Sequence, residues 1–255
     1  MTWDPSQYLK FASERLRPAI DLLSHVPLEA PATIYDLGCG AGNVTRLLKE
    51  RWPAGAVTGV DSSPEMLARA REAAPGLAWI EADLATWSPP APADLIYSNA
   101  ALHWLDDHAA LFPRLLGLLR SGGTLAVQMP RNHGAPSHTG MIAAARSGPW
   151  AARLEPLLRP DPVAEPGFYY DVLRPEAAAL DIWETEYLHA LEGDDPVVSW
   201  TRGTALKPLL DALAEPDRSA FLDDYRARMR AAYPRRGDGR TLFPFRRLFL
   251  VARAA

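Results

Sequence analysis

Cysteine is almost missing from this 255-residue chain, where Cys39 stands alone. A single thiol excludes an intrachain disulfide framework and any zinc site built on a cysteine cluster. Lysine is nearly as scarce, with only Lys10, Lys49 and Lys207 against 24 arginines. No window approaches the ~18 uninterrupted apolar residues that a membrane-crossing helix needs. The opening Met1-Thr2-Trp3-Asp4-Pro5 lacks the basic and apolar blocks of a secretory leader. The expectation is therefore a soluble, cytoplasmic protein that contacts no membrane. A net charge of −4 argues against a dedicated nucleic-acid binder.

Apolar residues make up 48% and charged ones 23%, enough to build one large core and too much for wholesale disorder. The 24 prolines are about twice the usual ~5%. The arginine bias fits coding bias, yet arginine is also the better side chain for gripping a carboxylate through two hydrogen bonds.

Along the first half, short β-rich runs alternate with amphipathic stretches. Strands are expected at Thr33–Leu37, Ala56–Val60, Leu77–Ile80, Asp94–Ser98 and Thr124–Met129. Between them, Val44–Arg51 reads as a helix capped by Asn43. A second helix starts with Ser63 as cap and Pro64 at its first position, turning Met66, Leu67 and Ala70 inward. A leucine-rich helix over Leu111–Leu119 is expected to end at Gly122-Gly123, with Pro113 marking its start or a kink. Strands with so few polar residues point to a mostly parallel sheet covered on both faces. Beyond Pro130, residues 131–168 carry six prolines and no strand signal, so an irregular or short-helical insertion is expected. A strand follows around Ile182–Tyr187, helices over Pro196–Tyr233, and a last strand at Arg247–Arg253. The expected division is an N-terminal helical cap segment (1–30), an α/β cofactor-binding core (31–130), an insertion and helical substrate cap (131–235, with a strand near 179–191) and the final core strand (236–255).

The sharpest local signal is Asp36-Leu37-Gly38-Cys39-Gly40-Ala41-Gly42-Asn43, leaving a strand and entering a helix. Glycines there let the backbone turn tightly and approach a ligand. Asp61 directly follows the second strand, where a carboxylate can accept from both hydroxyls of a ribose. Asp83 follows the third strand, placed to meet a heterocycle edge, and Asn99 ends the fourth. In an open parallel sheet the carboxyl ends of the strands line one crevice, so these residues converge. A dinucleotide site wants glycine or alanine as the sixth residue of its fingerprint; here that position is Asn43. Asp36 would also repel a pyrophosphate, whereas it suits a ligand bearing an ammonium or a sulfonium.

These motifs resemble those of the class I S-adenosylmethionine-dependent methyltransferases over roughly residues 30–130. The resemblance implies a doubly wound, mostly parallel seven-stranded Rossmann-like sheet with S-adenosyl-L-methionine as cofactor. It implies Asp36 near the methionine part, Gly38 and Gly40 under the cofactor backbone, Asp61 with Ser62 at the ribose, and Asp83 with Leu84 at the adenine. Asn99 completes the set, Trp104 would wall the cofactor, and Arg17 sits where related enzymes hold its carboxylate. The flanks are more specific. Trp3-Asp4-Pro5-Ser6-Gln7-Tyr8-Leu9, Glu14-Arg15-Leu16-Arg17-Pro18, Asp61-Ser62-Ser63-Pro64, Leu125–Pro130 and Arg247–Arg253 are similar to the trans-aconitate 2-methyltransferase family over nearly the whole chain, least so across 141–167.

That family implies transfer of a methyl group to a carboxylate oxygen, giving a monomethyl ester. A carboxylate of ordinary pKa is already ionised near neutrality, so no catalytic base is assigned and positioning is the mechanism. Candidates for holding the remaining anionic groups of the acid are Gln7, Tyr8, His103, Tyr169, Tyr170 and Arg246. The alternatives are methylation of another small acid, an NAD-dependent oxidoreductase (disfavoured by Asp36 and Asn43), and a fold that binds the cofactor without turnover. No metal is expected: His133 and His138 lack further ligands at suitable spacing. Eight arginines over Arg226–Arg247 read as a solvated face rather than as a nucleic-acid patch. The oligomeric state is left open.

Overall fold

The computed structural model describes residues 16–159 and 161–255. Its strands are β1 (Thr33–Leu37), β2 (Ala56–Asp61), β3 (Ala78–Glu81), β4 (Ala93–Asn99), β5 (Leu119–Pro130), β6 (Ala177–Leu191) and β7 (Thr241–Ala254). They form one seven-stranded sheet in the order β3-β2-β1-β4-β5-β7-β6. β1 pairs in parallel with β2 and β4, β2 with β3, and β4 with β5. The chain runs outward from β1 through β2 to β3, then returns to β4 on the other side of β1. That reversal is the point where an open α/β sheet leaves a crevice at its carboxyl ends. Helices Asn43–Arg51, Pro64–Ala73 and His108–Gly117 make the crossovers. Ile34, Leu37, Val60, Leu95, Ile96, Leu125 and Val127 are wholly excluded from solvent, as strands covered on both faces require.

Contacts divide the chain into two compact units. One takes in the described residues up to Met129 together with Ala164–Thr185 and Leu248–Ala255. The other is Pro130–Val163 with Glu186–Arg247, so 164–185, which the sequence grouped with the insertion, lies in the first unit. The second unit has its own core, in which Leu206, Phe221, Tyr225 and Phe243 are fully buried. Around that core Arg226 and Arg230 share Asp195, Arg228 pairs with Asp224, Arg235 with Asp194, and Arg240 with Glu192. Much of the arginine-rich stretch is thus spent on carboxylates of this same chain.

Four local expectations need correction. Asn43 is not the cap of its helix: Gly42, at φ 78°, occupies that position. The Asn43 Oδ1 instead accepts from Arg46 Nη2 at 2.8 Å. Met66 is exposed while Leu67 and Ala70 are buried, because the helical stripe facing the sheet is narrow. Ser63 does cap that helix, accepting from the Met66 amide. The helix before β5 spans His108–Gly117, with Pro113 inside it, and does not reach Gly122-Gly123. Those glycines lie within β5, where Ala93 faces Leu119 but Leu95 faces Thr124. β4 advances two residues there while β5 advances five, and Gly122, at φ 75°, absorbs the excess. Finally, the 131–168 stretch holds a regular helix at Pro136–Ser147, since proline at the first helical position costs no hydrogen bond.

Candidate active site

The glycine turn is built on the ends of β1 and β2. The amides of Gly38 and Cys39 both donate to the Val60 carbonyl, at 2.8 and 3.2 Å. Gly38 stands at φ 73°, and a Cβ there would run into the Ala101 side chain, so this position accepts only glycine. Among the described residues nothing stands where a Cβ on Gly40 would go, and its amide donates to Asp61 Oδ2 at 2.8 Å. The other Asp61 oxygen accepts from the Ser63 amide at 2.9 Å. Asp61 therefore ties the glycine turn to the start of the next helix. Each carboxylate oxygen keeps a lone pair for a further donor. Ser62 lies exposed between these anchors.

Asp36 is buried at the end of β1, one residue before Leu37. Burial pushes its carboxyl up to about 7; the Thr45 hydroxyl, donating at 2.6 Å, opposes this rise, and the Asp61 charge adds to it. Cys39 is buried and its thiol is pushed up by burial and by the Asp36 and Asp61 charges, which removes it as a nucleophile. Asp83 is exposed two residues beyond β3, its Oδ1 accepting from the Ala85 amide. Leu84 is buried, and its carbonyl accepts from Arg114 Nη2 at 2.8 Å. At the end of β4, the Asn99 Oδ1 is buried with no hydrogen-bond partner among the described residues. Ala100 follows at φ 54°, a conformation costly for a residue with a Cβ and characteristic of functional turns. Parallel register sets Leu37 beside Val60, Asp36 beside Tyr97 and Asp61 beside Glu81, and so gathers Asp36, Asp61, Asp83 and Asn99 at one edge of the sheet.

The other sequence candidates divide. His103 is buried beside Trp104, ring centroids 4.8 Å apart, and Trp104 itself is 46% exposed. Tyr170 is half exposed, but Tyr169 is completely buried. The Tyr169 hydroxyl bonds to His108 Nδ1 at 2.7 Å and accepts from the Ala164 amide, while its ring packs edge-on against Phe112. Those commitments make Tyr169 part of the core and take it out of the substrate-contact set. Arg17 begins the helix Arg17–Ser24, its side chain 59% exposed and 3.9 Å from Asp21. Arg246 has an exposed side chain; its amide donates to Asn132 Oδ1 and its carbonyl accepts from the Arg131 amide. Gln7 and Tyr8 lie outside the described residues.

Three participants escape sequence reasoning. Thr45 is fully buried and holds Asp36, Trp79 leaves no room for a Cβ at Gly42 or Gly59, and Ala101 does the same at Gly38. Only the small size of Ala100-Ala101 after a strand hinted at any of this.

A mostly parallel sheet of this order, a glycine turn after its first strand and acidic groups ending the first two define a Rossmann-like methyltransferase fold. The family profile described as a methyltransferase domain matches residues 34–123. The phosphoethanolamine N-methyltransferase 2 of Haemonchus contortus, solved in complex with S-adenosyl-L-methionine, superposes with a TM-score of 0.57 at 14% identity, over 98% of this chain and 57% of that one. The trans-aconitate 2-methyltransferase of Azoarcus sp. (strain BH72) is 54% identical over 251 residues, 98% of each chain. That of Methylobacterium radiotolerans is 51% identical over 256 residues, 99% of this chain and 98% of its own. The chain belongs to the trans-aconitate 2-methyltransferase family. Among the described residues no helix is long and apolar enough to cross a membrane.

Proposed function

We propose that this protein transfers a methyl group from S-adenosyl-L-methionine to a carboxylate of trans-aconitate, releasing a monomethyl ester and S-adenosylhomocysteine. The observation that carries this reading is near full-length identity of about half with relatives that bear that name. Local features fit the cofactor. The space before Gly40 admits a ligand without a Cβ in the way. The buried Asn99 Oδ1 has no donor among the described residues, and a buried polar atom without a partner costs about 1–3 kcal/mol. Asp36 offers a negative charge to a cationic ligand, and Asp61 retains lone pairs for ribose hydroxyls.

Bound there, the cofactor supplies an electrophilic methyl group on a sulfonium. The chain's own residues position and exclude. The Gly38–Gly40 turn, Asp61 with Ser62, and Asp83 with Leu84 hold the nucleoside, and Asp36 and Asn99 orient the amino-acid part, to which Arg17 adds a charge. Trp104 shields one side. The attacking carboxylate is already ionised at neutral pH, so no side chain removes a proton. The cofactor would supply a methyl group whose C–S bonding pair stays with sulfur, so the transfer would ask no proton or redox chemistry of these residues. Rate then comes from in-line placement and exclusion of water, with His103, Tyr170, Arg246, Gln7 and Tyr8 as the acid's proposed partners. The segments 1–30 and 131–235 act as a helical cap over the acid, and the protein works in the cytoplasm, without nucleic acid.

Mass spectrometry of a reaction of purified protein with S-adenosyl-L-methionine and trans-aconitate should show the monomethyl ester. Ester formation on another small acid but none on trans-aconitate would refute the acceptor and leave the class intact.

A further inference from the structure

One arginine holds the turn after β3 from outside. β3 itself is a weak anchor: it is four residues long, lies at the edge of the sheet, pairs only with β2, and has no fully buried residue. The turn that leaves it closes on itself. The amides of Thr86 and Trp87 both donate to the Asp83 carbonyl, at 3.2 and 2.8 Å, and the Ala85 amide donates to Asp83 Oδ1 at 2.9 Å. Those bonds shape the turn without fixing where it sits. The carbonyls of Leu84 and Trp87 belong to no strand or helix, so each needs a donor from elsewhere. Arg114, in the helix His108–Gly117 that follows β4, meets both. Its Nη1 donates to the Trp87 carbonyl at 2.6 Å and its Nη2 to the Leu84 carbonyl at 2.8 Å.

Arginine suits this task because its planar fork offers two donors at a fixed angle, and a charged donor makes the stronger hydrogen bond. Arg114 is half-buried, so water competes little for the two carbonyls. Apolar contacts complete the anchorage. Leu84 and Trp87 are buried, and the Trp87 ring packs edge-on against Tyr35 of β1, centroids 4.9 Å apart. The Leu84 side chain reaches the glycine turn, where its Cδ1 would stand 3.7 Å from a Cβ on Gly38. Held at both ends, the turn presents Asp83 in one orientation. The Ala85 amide occupies Oδ1, while Oδ2 makes no hydrogen bond among the described residues.

We infer that Arg114 is a positioning residue for recognition of the base: by holding Leu84 and Trp87 it sets the second Asp83 oxygen to accept from the exocyclic amino group of adenine, which makes binding selective for adenine over hypoxanthine. This deepens the cofactor reading and rests on its placement of Asp83 and Leu84 at the adenine. Hypoxanthine carries a carbonyl oxygen where adenine carries its amino group, and that oxygen facing a carboxylate leaves two acceptors with no proton between them. Arg114 acts through the turn alone.

Calorimetric titration of the full-length protein with S-adenosylhomocysteine and with S-inosylhomocysteine, in which hypoxanthine replaces adenine, tests this. The wild type should bind the first at least about tenfold more tightly, the effect of one hydrogen bond to a charged group. Arg114→Met keeps the aliphatic stem and removes both donors. It should weaken S-adenosylhomocysteine far more than S-inosylhomocysteine, so that the preference shrinks to within about threefold. Arg114→Lys, which keeps a charged donor, should recover part of the preference, and Arg114→Gln carries the same comparison where Arg114→Met fails to fold. Asp83→Ala should also abolish the preference, and the double variant should lose nothing further, since both residues act through one contact. A merely structural role would weaken both ligands alike; an unchanged ratio in the Arg114 variants, or additive losses in the double variant, overturns the inference. A preference lost in Asp83→Ala but kept in Arg114→Met refutes the role of Arg114 and leaves the adenine reading intact. Equal binding of the two ligands by the wild type, or binding of neither, refutes both.

Discussion

Replacing Asp36 with asparagine should abolish a pH dependence that the wild-type protein shows in cofactor binding. Burial raises this carboxyl to about 7 from an ordinary value of 3.8, so its ionised fraction climbs from roughly one-eleventh at pH 6 to roughly ten-elevenths at pH 8. A sulfonium- and ammonium-bearing ligand favours the ionised form. If only that form is competent, apparent affinity scales with its fraction, and S-adenosylmethionine should bind about tenfold more tightly at pH 8 than at pH 6. The ligand-free protein should move the other way. Between pH values near 3.8 and 7 the folded state binds more protons at Asp36 than the unfolded chain does. This contribution to stability therefore falls as pH rises through that window, by up to roughly 1.4 kcal/mol per pH unit. Calorimetric titration at pH 6, 7 and 8, with urea unfolding at the same values, reads both effects. Asp36→Asn keeps a group able to accept from Thr45 and should flatten both curves. A flat wild-type binding profile, or a slope that survives in Asp36→Asn, refutes the coupling between this carboxyl and a cationic ligand.

Three further outcomes follow from single contacts. Asp61→Ala removes the acceptor of the Gly40 and Ser63 amides along with the proposed ribose contact, and should weaken S-adenosylhomocysteine binding by about 1–3 kcal/mol; unchanged affinity by calorimetry would place the nucleoside elsewhere. Gly38→Ala meets both a left-handed backbone and the Ala101 side chain, so urea unfolding should show a loss of at least about 2 kcal/mol. Adding Ala101→Gly should restore all but the backbone share, and no rescue would mean the clash is not the cause. Tyr169→Phe leaves His108 Nδ1 without its partner in the core and should cost about 1–3 kcal/mol of stability, with the KM for trans-aconitate unchanged; a raised KM at wild-type stability would return Tyr169 to the substrate site.

Particular residues show how far the sequence could be read. Thr33–Leu37 and Asp94–Ser98 are legible as strands because Ile34 with Tyr35 and Leu95-Ile96-Tyr97 make short apolar runs rich in β-branched and aromatic residues, as burial on both faces of a sheet favours. Asp36, Gly38, Gly40 and Asp61 are legible as a site because a tight turn between strand and helix restricts which residues can stand there. Gly122-Gly123 misleads for the same local reason: glycine tolerates a left-handed backbone whether it ends a helix or absorbs a bulge, and only the register of β5 against β4 tells which. Met66 misleads because helical spacing gives the direction of the apolar stripe without its width.

By itself, then, the sequence determined the α/β architecture and which acidic residues stand at the carboxyl ends of its strands, since these follow from short-range patterns of burial and backbone conformation. The tertiary structure decided which side chains are occupied. It committed the Tyr169 hydroxyl to His108, gave Asp36 a buried carboxyl titrating near neutrality, and set the Arg114 guanidinium on the carbonyls of Leu84 and Trp87. The nearly absent cysteine proved a packing residue of the glycine turn, and the abundant arginines are largely matched with carboxylates of the same chain. Hydrogen-bond occupancy and desolvation depend on neighbours distant in sequence, and those neighbours are chosen only when the chain has folded.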